Sequence, residues 1–362
     1  MDEPDVTKII DISFKGLMSN NRTTAMLRGL NTATEHIQNA KSKYSTSYTF
    51  FTRPVLNLRD SNLIRSPGLH SLLDKRENSI HRYVRNMLDP RLHSPIGTTD
   101  THLGFKGEKS YSCNTYVNES LAFIPILSNS LLKLGSFPEP SMDTRDSPQG
   151  LKKEQYSYTD SLYENNSIFE LDATFENVTG DVVKYLFYIW LKYISYAKEG
   201  LVMPYPDYHV ARRIDFMTRV FRINLAEDYM TIKNITVVPA MYPISGDFLK
   251  DSNYDSEKPG EWHPEFSVKF KCMGVLSNEY RLLLIFNRTI AFLNDNIREH
   301  FFTEGVTHKD DNKLLKLHID EVSKYNFRTI PFIDINTNRL EHYTDNTELI
   351  QIIKERRLKQ RT

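Results

Sequence analysis

The feature that most constrains this chain is one helix-length run, residues 181–197 (DVVKYLFYIWLKYISYA), in which nearly every side chain is apolar or aromatic. At about 100° per residue its polar members and their neighbours, Lys184, Lys192, Ser195, Lys198 and Glu199, fall on one narrow stripe. A helix with so little polar surface must be covered on most sides, either by its own sheet or by that sheet together with a neighbouring subunit. The run is about a turn short of the roughly 20 apolar residues that span a bilayer, and it contains Lys184 and Lys192. It therefore reads as a helix buried in protein, with no membrane anchor.

Alternating segments surround it. In IFELDATFE, Phe169, Leu171, Ala173 and Phe175 point one way, and Glu170, Asp172, Thr174 and Glu176 the other, the period of a half-buried strand. Gly180 and Asp181 open the helix and Gly200 caps it. RIDFMTRVFRINL (213–225) and MTIKNITVVPAMYP (230–243) read as a hairpin joined at Glu227 and Asp228, the second strand limited by Pro239 and Pro243. In EFSVKFKCMGV, Phe266, Val268, Phe270 and Cys272 face inward, opposite Ser267, Lys269 and Lys271. If the first and last of these strands lie together, the outward carboxylates meet the outward lysines. The expected class is α+β: a mainly antiparallel β-sandwich or barrel with a flanking buried helix, plus N- and C-terminal extensions.

The rest of the chain divides as an N-terminal arm (1–46), a strand and helix extension (47–135), a linker (136–166), the β domain (167–295) and a C-terminal extension (296–362). The arm, with Ile9, Ile10, Ile12 and Phe14, is of the kind that orders on a partner. Residues 47–58 form a strand stopping near Pro54, residues 71–88 an amphipathic helix ended by Pro90, and residues 89–112 a loop. Residues 118–134 have a helical tendency interrupted by Pro125. Further on, RLLLIFNRTIAFLN is a helix or strand and RTIPFIDI a strand. The final helix TELIQIIKERRLKQ carries Lys354, Arg356, Arg357, Lys359 and Arg361, which suit its C-terminal dipole.

Chemistry is sparse. Lys plus Arg and Asp plus Glu both number 46, so no global field draws the chain to nucleic acid or an anionic membrane. Cys113 and Cys272 are the only cysteines, which argues against a disulfide framework or a zinc ribbon. The acidic opening MDEPDVTKIIDISFKG has no secretory pattern, so synthesis in a cytoplasm is expected. No G-x-S-x-G, Walker loop, G-x-G-x-x-G or H-E-x-x-H occurs. HKDDNK at 308–313 lacks EF-hand spacing. His263 beside Trp262 and Glu265, and His318 near Asp320 and Glu321, lack a nucleophile. The expectation is no enzyme, no cofactor and no metal site. Aromatics interleaved with lysines in KYLFYIWLKYISYAK have helical spacing, which favours core packing over a base-stacking platform.

The succession FELDATFEN, a Trp- and Tyr-rich helix ending in YAKEG, a strand pair, AMYPIS and EFSVKFKCMG resembles the tube domain of contractile-tailed bacteriophages. FFTRPVLNL and FIPILSNSLLKLGSFPEPSMDT resemble stretches upstream of that domain in virion structural proteins of large phages, so the likeness covers roughly residues 48–290. It implies a β-sandwich with one flanking helix that oligomerises into a ring, six-fold in the family. Such a ring would sit in the virion tail, beside the tail tube protein and other baseplate proteins, with double-stranded DNA in transit. The added segments before and after the domain favour a specialised ring, a baseplate tube initiator or hub-adjacent ring, over the repeated shaft protein. The alternatives are a tail completion or sheath-contacting protein using the same domain, or a peripheral nucleic-acid-binding virion protein. Under the resemblance, Glu170, Asp172 and Glu176 are candidates for the face lining the bore, where like charge would keep DNA from sticking.

Overall fold

The computed structural model describes residues 46–74, 76, 79–92, 121–139, 141–160, 165–248, 265–298, 314–324 and 329–361. In chain order these hold β1 (Ser47–Phe51), α1 (Asp60–Arg65), a 3-10 turn (Pro67–Leu73), α2 (Ile80–Leu88) and a second 3-10 turn (Pro90–Leu92). There follow α3 (Pro125–Ser130), β2 (Leu131–Leu134), β3 (Thr144–Asp146), β4 (Ser157–Thr159), β5 (Asn165–Glu176), α4 (Val182–Glu199) and α5 (Pro206–Val210). After these come β6 (Thr218–Leu225), β7 (Ile232–Gly246), β8 (Glu265–Ser277), α6 (Tyr280–Leu293) and α7 (Asp295–Arg298). The chain ends in β9 (Leu315–Leu317), α8 (Ile319–Lys324), β10 (Ile330–Asp334), β11 (Arg339–Thr344) and α9 (Thr347–Arg361).

The fold is α+β, built on a curled, six-stranded antiparallel half-barrel in the order β1-β6-β7-β8-β5-β2. The alternation expected in β5 and β8 decides which face is dry: Leu171, Ala173, Phe175, Phe266, Val268, Phe270 and Cys272 are all buried on the side that receives α4. Phe187 of α4 lies 5.1 Å from Phe175 and 5.7 Å from Phe270, ring centre to ring centre. Trp190 is fully buried, stacked on Phe187 at 6.2 Å, and its Nε1–H donates to the Phe216 carbonyl at 3.0 Å.

The far side of α4 is covered by residues of the same chain, with Leu69, Leu72, Val84, Met87 and Leu88 joining the same core. The helix is thus held between the sheet and a short-helix layer, which accounts for its apolar circumference. Gly200 ends it at φ 79°, a left-handed cap that glycine adopts without a Cβ penalty. The expected polar stripe is incomplete. Lys184 is buried, with Nζ 5.8 Å above the Phe266 ring.

Other expectations shift for local reasons. Within the amphipathic run 71–88, residues 71–73 belong to the 3-10 turn and the described α-helix covers Ile80–Leu88. Before it the Asp74 carboxylate accepts hydrogen bonds from the Arg76 backbone N–H (3.1 Å) and the Ser79 hydroxyl (2.6 Å), a turn that competes with the helix. Pro125 opens α3 instead of interrupting one, and residues 131–134 leave it as strand β2. Pro239 and Pro243 do not end β7, because bulges in its pairing with β6 and β8 absorb them. The segment read as linker holds the exposed β3–β4 hairpin. The segment read as an extension supplies β1, which pairs with β6 at the sheet's edge, with Ser47 opposite Asn224.

The opposite face of the sheet is apolar over β1, β6 and β7, where α6 and the small sheet β10-β11-β9 cover it. The Asn287 side chain of α6 pins β10, donating to the Ile333 carbonyl at 2.7 Å and accepting from its N–H at 2.9 Å. The residues 1–45 of the arm, Cys113, most of the 89–112 loop, Trp262, His263 and the HKDDNK segment lie outside the described residues.

Where the short-helix layer meets the sheet, polar groups are buried with partners. Arg85 donates to the Leu58 carbonyl (2.9 Å), the Leu72 carbonyl (3.2 Å) and Asp60 Oδ1 (2.8 Å). Asp89, fully buried, accepts from the Leu58 N–H (2.9 Å), the Arg91 N–H (3.1 Å) and the Tyr205 hydroxyl (2.8 Å). Burial outweighs these donors and pushes its carboxyl up to about 6.

Candidate assembly surfaces

On the face of the sheet turned away from α4, β5 and β8 put charge against charge. The register places Glu170 opposite Lys271 and Asp172 opposite Lys269. Lys271 Nζ donates to Glu170 Oε1 at 3.0 Å, and Lys269 Nζ lies 3.8 Å from Glu170 Oε2. The Lys271 hydrogen bond, with the charge of both lysines, holds the Glu170 carboxyl below its ordinary value. These groups are solvated, so such pairs add little to stability. Glu176 stands opposite Glu265, a like-charge pair. Glu170, Asp172 and Glu176 therefore share one exposed stripe, in which four carboxylates face two ammonium groups.

Among the described residues, each edge of the half-barrel has an open stretch. On β5, β2 pairs only with its C-terminal part, and the last bond runs from the Gly135 N–H to the Asp172 carbonyl at 2.6 Å. A Cβ at Gly135 would stand 3.0 Å from that carbonyl, so the approach needs glycine. Residues 168–171 have no strand on this side among the described residues, and Ile168 is 64% exposed. At the other edge, residues 122–124 bridge to residues 51–53 through Ile124 N–H to the Phe51 carbonyl (2.9 Å) and Arg53 N–H to the Ala122 carbonyl (3.1 Å). On the side of β1 away from β6, residues 47–50 have no ladder partner among the described residues. Unpaired edges invite another chain unless something covers them.

Of the residues considered for acid–base chemistry, Glu321 is engaged by its neighbours. The His318 backbone N–H donates to Glu321 Oε2 at 2.9 Å, and Glu321 pairs with Arg357 at 2.7 Å, tying α8 to α9 and engaging one of the basic residues of the C-terminal helix. Cys272 is buried, its thiol pushed up to about 12 by desolvation. No helix among the described residues is long and apolar enough to cross a membrane. One site carried no sequence signal: a pocket lined by Arg213, Arg219 and Arg288, the first two from neighbouring loop and strand positions and the third from a helix well downstream.

A protein-family model described as "Putative phage tail tube protein" matches residues 6–359. The chain belongs to this phage tail tube family. The match extends the likeness well beyond residues 48–290, to the N-terminal arm and the C-terminal sheet and helices. This tail tube family protein is a structural component of the bacteriophage virion tail.

No curated protein matches the chain. Among solved structures, the anti-feeding prophage cap, an AFP tube terminating cap, is 9% identical with a TM-score of 0.26, covering 43% of this chain and 82% of that chain. The sheath/tube terminator of the PVC extracellular contractile injection system is 8% identical with a TM-score of 0.25, covering 43% and 87%. A chain of the PVC sheath-tube complex is 10% identical with a TM-score of 0.27, covering 43% and 82%. At these TM-scores the likenesses carry no weight.

Proposed function

We propose that this tail protein is the subunit of a homo-oligomeric ring, six-fold as in tubes of its family. The ring belongs to the tail tube or to its baseplate end as a tube initiator or hub-adjacent ring, and double-stranded DNA passes through it. The observation that carries this reading is the curled sheet with an open stretch at each edge. A head-to-tail contact between the β1 edge of one copy and the β5 edge of the next repeats around an axis, and where the rotation closes it gives a barrel without free edges. The role is architectural, not enzymatic, and its partners are further copies, the tail tube protein and neighbouring baseplate proteins.

Negative-stain imaging of the purified protein over a concentration series, alone and with the tail tube protein, tests this. Rings or seeded tubes are expected, whereas a monomer that persists and nucleates nothing removes the ring.

The stripe holding Glu170, Asp172 and Glu176 is the face assigned to the bore. Its carboxylates outnumber its lysines, leaving a weakly negative wall that phosphate does not adhere to. Reversing all three to lysine should leave rings intact and slow DNA ejection several-fold in a particle assay. Ejection at the parental rate would place the stripe elsewhere.

A further inference from the structure

Arg213, Arg219 and Arg288 line one pocket of about 690 Å3 at the margin of α6, where β6 and β7 pass beneath it. No carboxylate is among its described lining residues, and none of the three arginines makes an ion pair among the described residues. Most of the wall is apolar, with Met217, Ile285 and Phe292 contributing. Arg219 is the telling member. It is partly buried, its guanidinium is lowered from its ordinary value by desolvation, and its one described side-chain bond is a long 3.5 Å contact to Thr289 Oγ1. A desolvated cation without an anion is costly, so the pocket fits a ligand that is both acidic and apolar, not a bare polyphosphate.

The chain itself carries such a sequence. Residues 2–14, DEPDVTKIIDISF, interleave Asp2, Glu3, Asp5 and Asp11 with Ile9, Ile10, Ile12 and Phe14. The 31 residues between Phe14 and Thr46 reach up to about 100 Å when extended. The distance to cover is short. The Thr46 carbonyl accepts from the Leu225 N–H at one end of β1, and Thr52, beyond the other end, lines the pocket, roughly 20 Å along a strand. A segment on its own tether competes at an effective concentration near millimolar, above a second copy at micromolar.

We infer that residues 2–14 dock intramolecularly in this pocket, carboxylates against the three arginines and the isoleucines and phenylalanine against its apolar wall. The docked arm covers the seam where α6 leaves the sheet. This inference goes beyond ring formation and holds for a lone subunit as for an assembled one.

Hydrogen exchange on the full-length protein tests it, comparing the parent with an Arg213→Glu, Arg288→Glu variant. Both side chains are exposed, so the fold should survive. Amides of residues 6–14 should exchange at least tenfold faster in the variant, and adding Asp5→Lys and Asp11→Lys should restore most of the protection by reversing the pair. Equal exchange over residues 2–14 in parent and variant overturns the inference. So does protection that appears only on raising protein concentration, which would mark a second copy as the source. Loss of protection confined to another segment, such as residues 93–120, overturns it as well. Exchange in α4 is the folding control, and if the glutamates loosen it, Arg213→Gln with Arg288→Gln carries the same comparison.

Discussion

Ile168→Pro is expected to weaken ring assembly at least tenfold while leaving the subunit folded. Peptide groups along an antiparallel strand alternate between its two edges. The Asp172 carbonyl already points at Gly135 of the β2 side, so Glu170 and Ile168 present their N–H and C=O groups to the same, open side. The ladder to β8 runs through the residues between them. Proline at 168 therefore removes a donor from the free edge and places a ring where an incoming strand would lie, without breaking a β8 bond. A lost hydrogen bond plus the steric block amounts to a few kcal/mol per interface, and each 1.4 kcal/mol is a factor of ten in association. Sedimentation velocity over a concentration series should show assembly shifted to at least tenfold higher concentration, with the monomer's Tm lowered by only a few degrees. Rings at the parental concentration would mean that this edge is not the contact, even if the ring itself is real.

The second large effect is a pH dependence centred on Asp89. Its carboxyl titrates near 6 in the folded chain because burial disfavours the anion, against about 3.9 when unfolded. Between those values the folded state holds a proton that the unfolded state has released, so the contribution of Asp89 to stability falls as pH rises through the window. At about 1.4 kcal/mol per unit, and with the unfolded carboxyl already half ionised at pH 4, the loss from pH 4 to pH 7 is about 2 kcal/mol. Asp207, held low by its paired Arg91, works in the opposite sense, contributing stability that is lost as pH falls. The comparison must therefore be a difference. Urea unfolding of parent and Asp89→Asn from pH 4 to pH 7 should show the parent losing about 2 kcal/mol relative to the variant. A flat difference would show that Asp89 stays ionised throughout, its donors outweighing its burial.

Where the sequence was legible, one strong local period did the work. The alternation of β5 and β8 gave both the buried face and the charged one, and the pairing of Glu170 with Lys271 follows once the two strands are neighbours. The apolar circumference of α4 was equally plain, but what covers it was not. The layer holding Leu69, Leu72 and Val84 lies more than 90 residues earlier in the chain, and no periodicity links it to the helix. The break before α2 depends on one carboxylate, Asp74, choosing nearby donors over a helical turn that the apolar spacing favours. Pro239 and Pro243 read as strand ends because bulges are invisible without the partner strands. Arg288 is likewise remote in the chain from Arg213 and Arg219 and meets them only in the folded protein.

The position of β1 has a consequence for how the chain is made. Its partner residues on β6 are synthesised up to 177 residues after it, Ser47 facing Asn224. At about 5–20 residues per second the ribosome needs roughly 10–35 s to deliver them. The apolar surface of α4 emerges before β6, β7 and β8 exist to cover it, and long-range pairings of this kind close slowly. Completion of the half-barrel thus waits until β8 has left the ribosome, so the nascent chain passes through a long interval in which a chaperone, or a fellow nascent chain, competes for its stickiest helix.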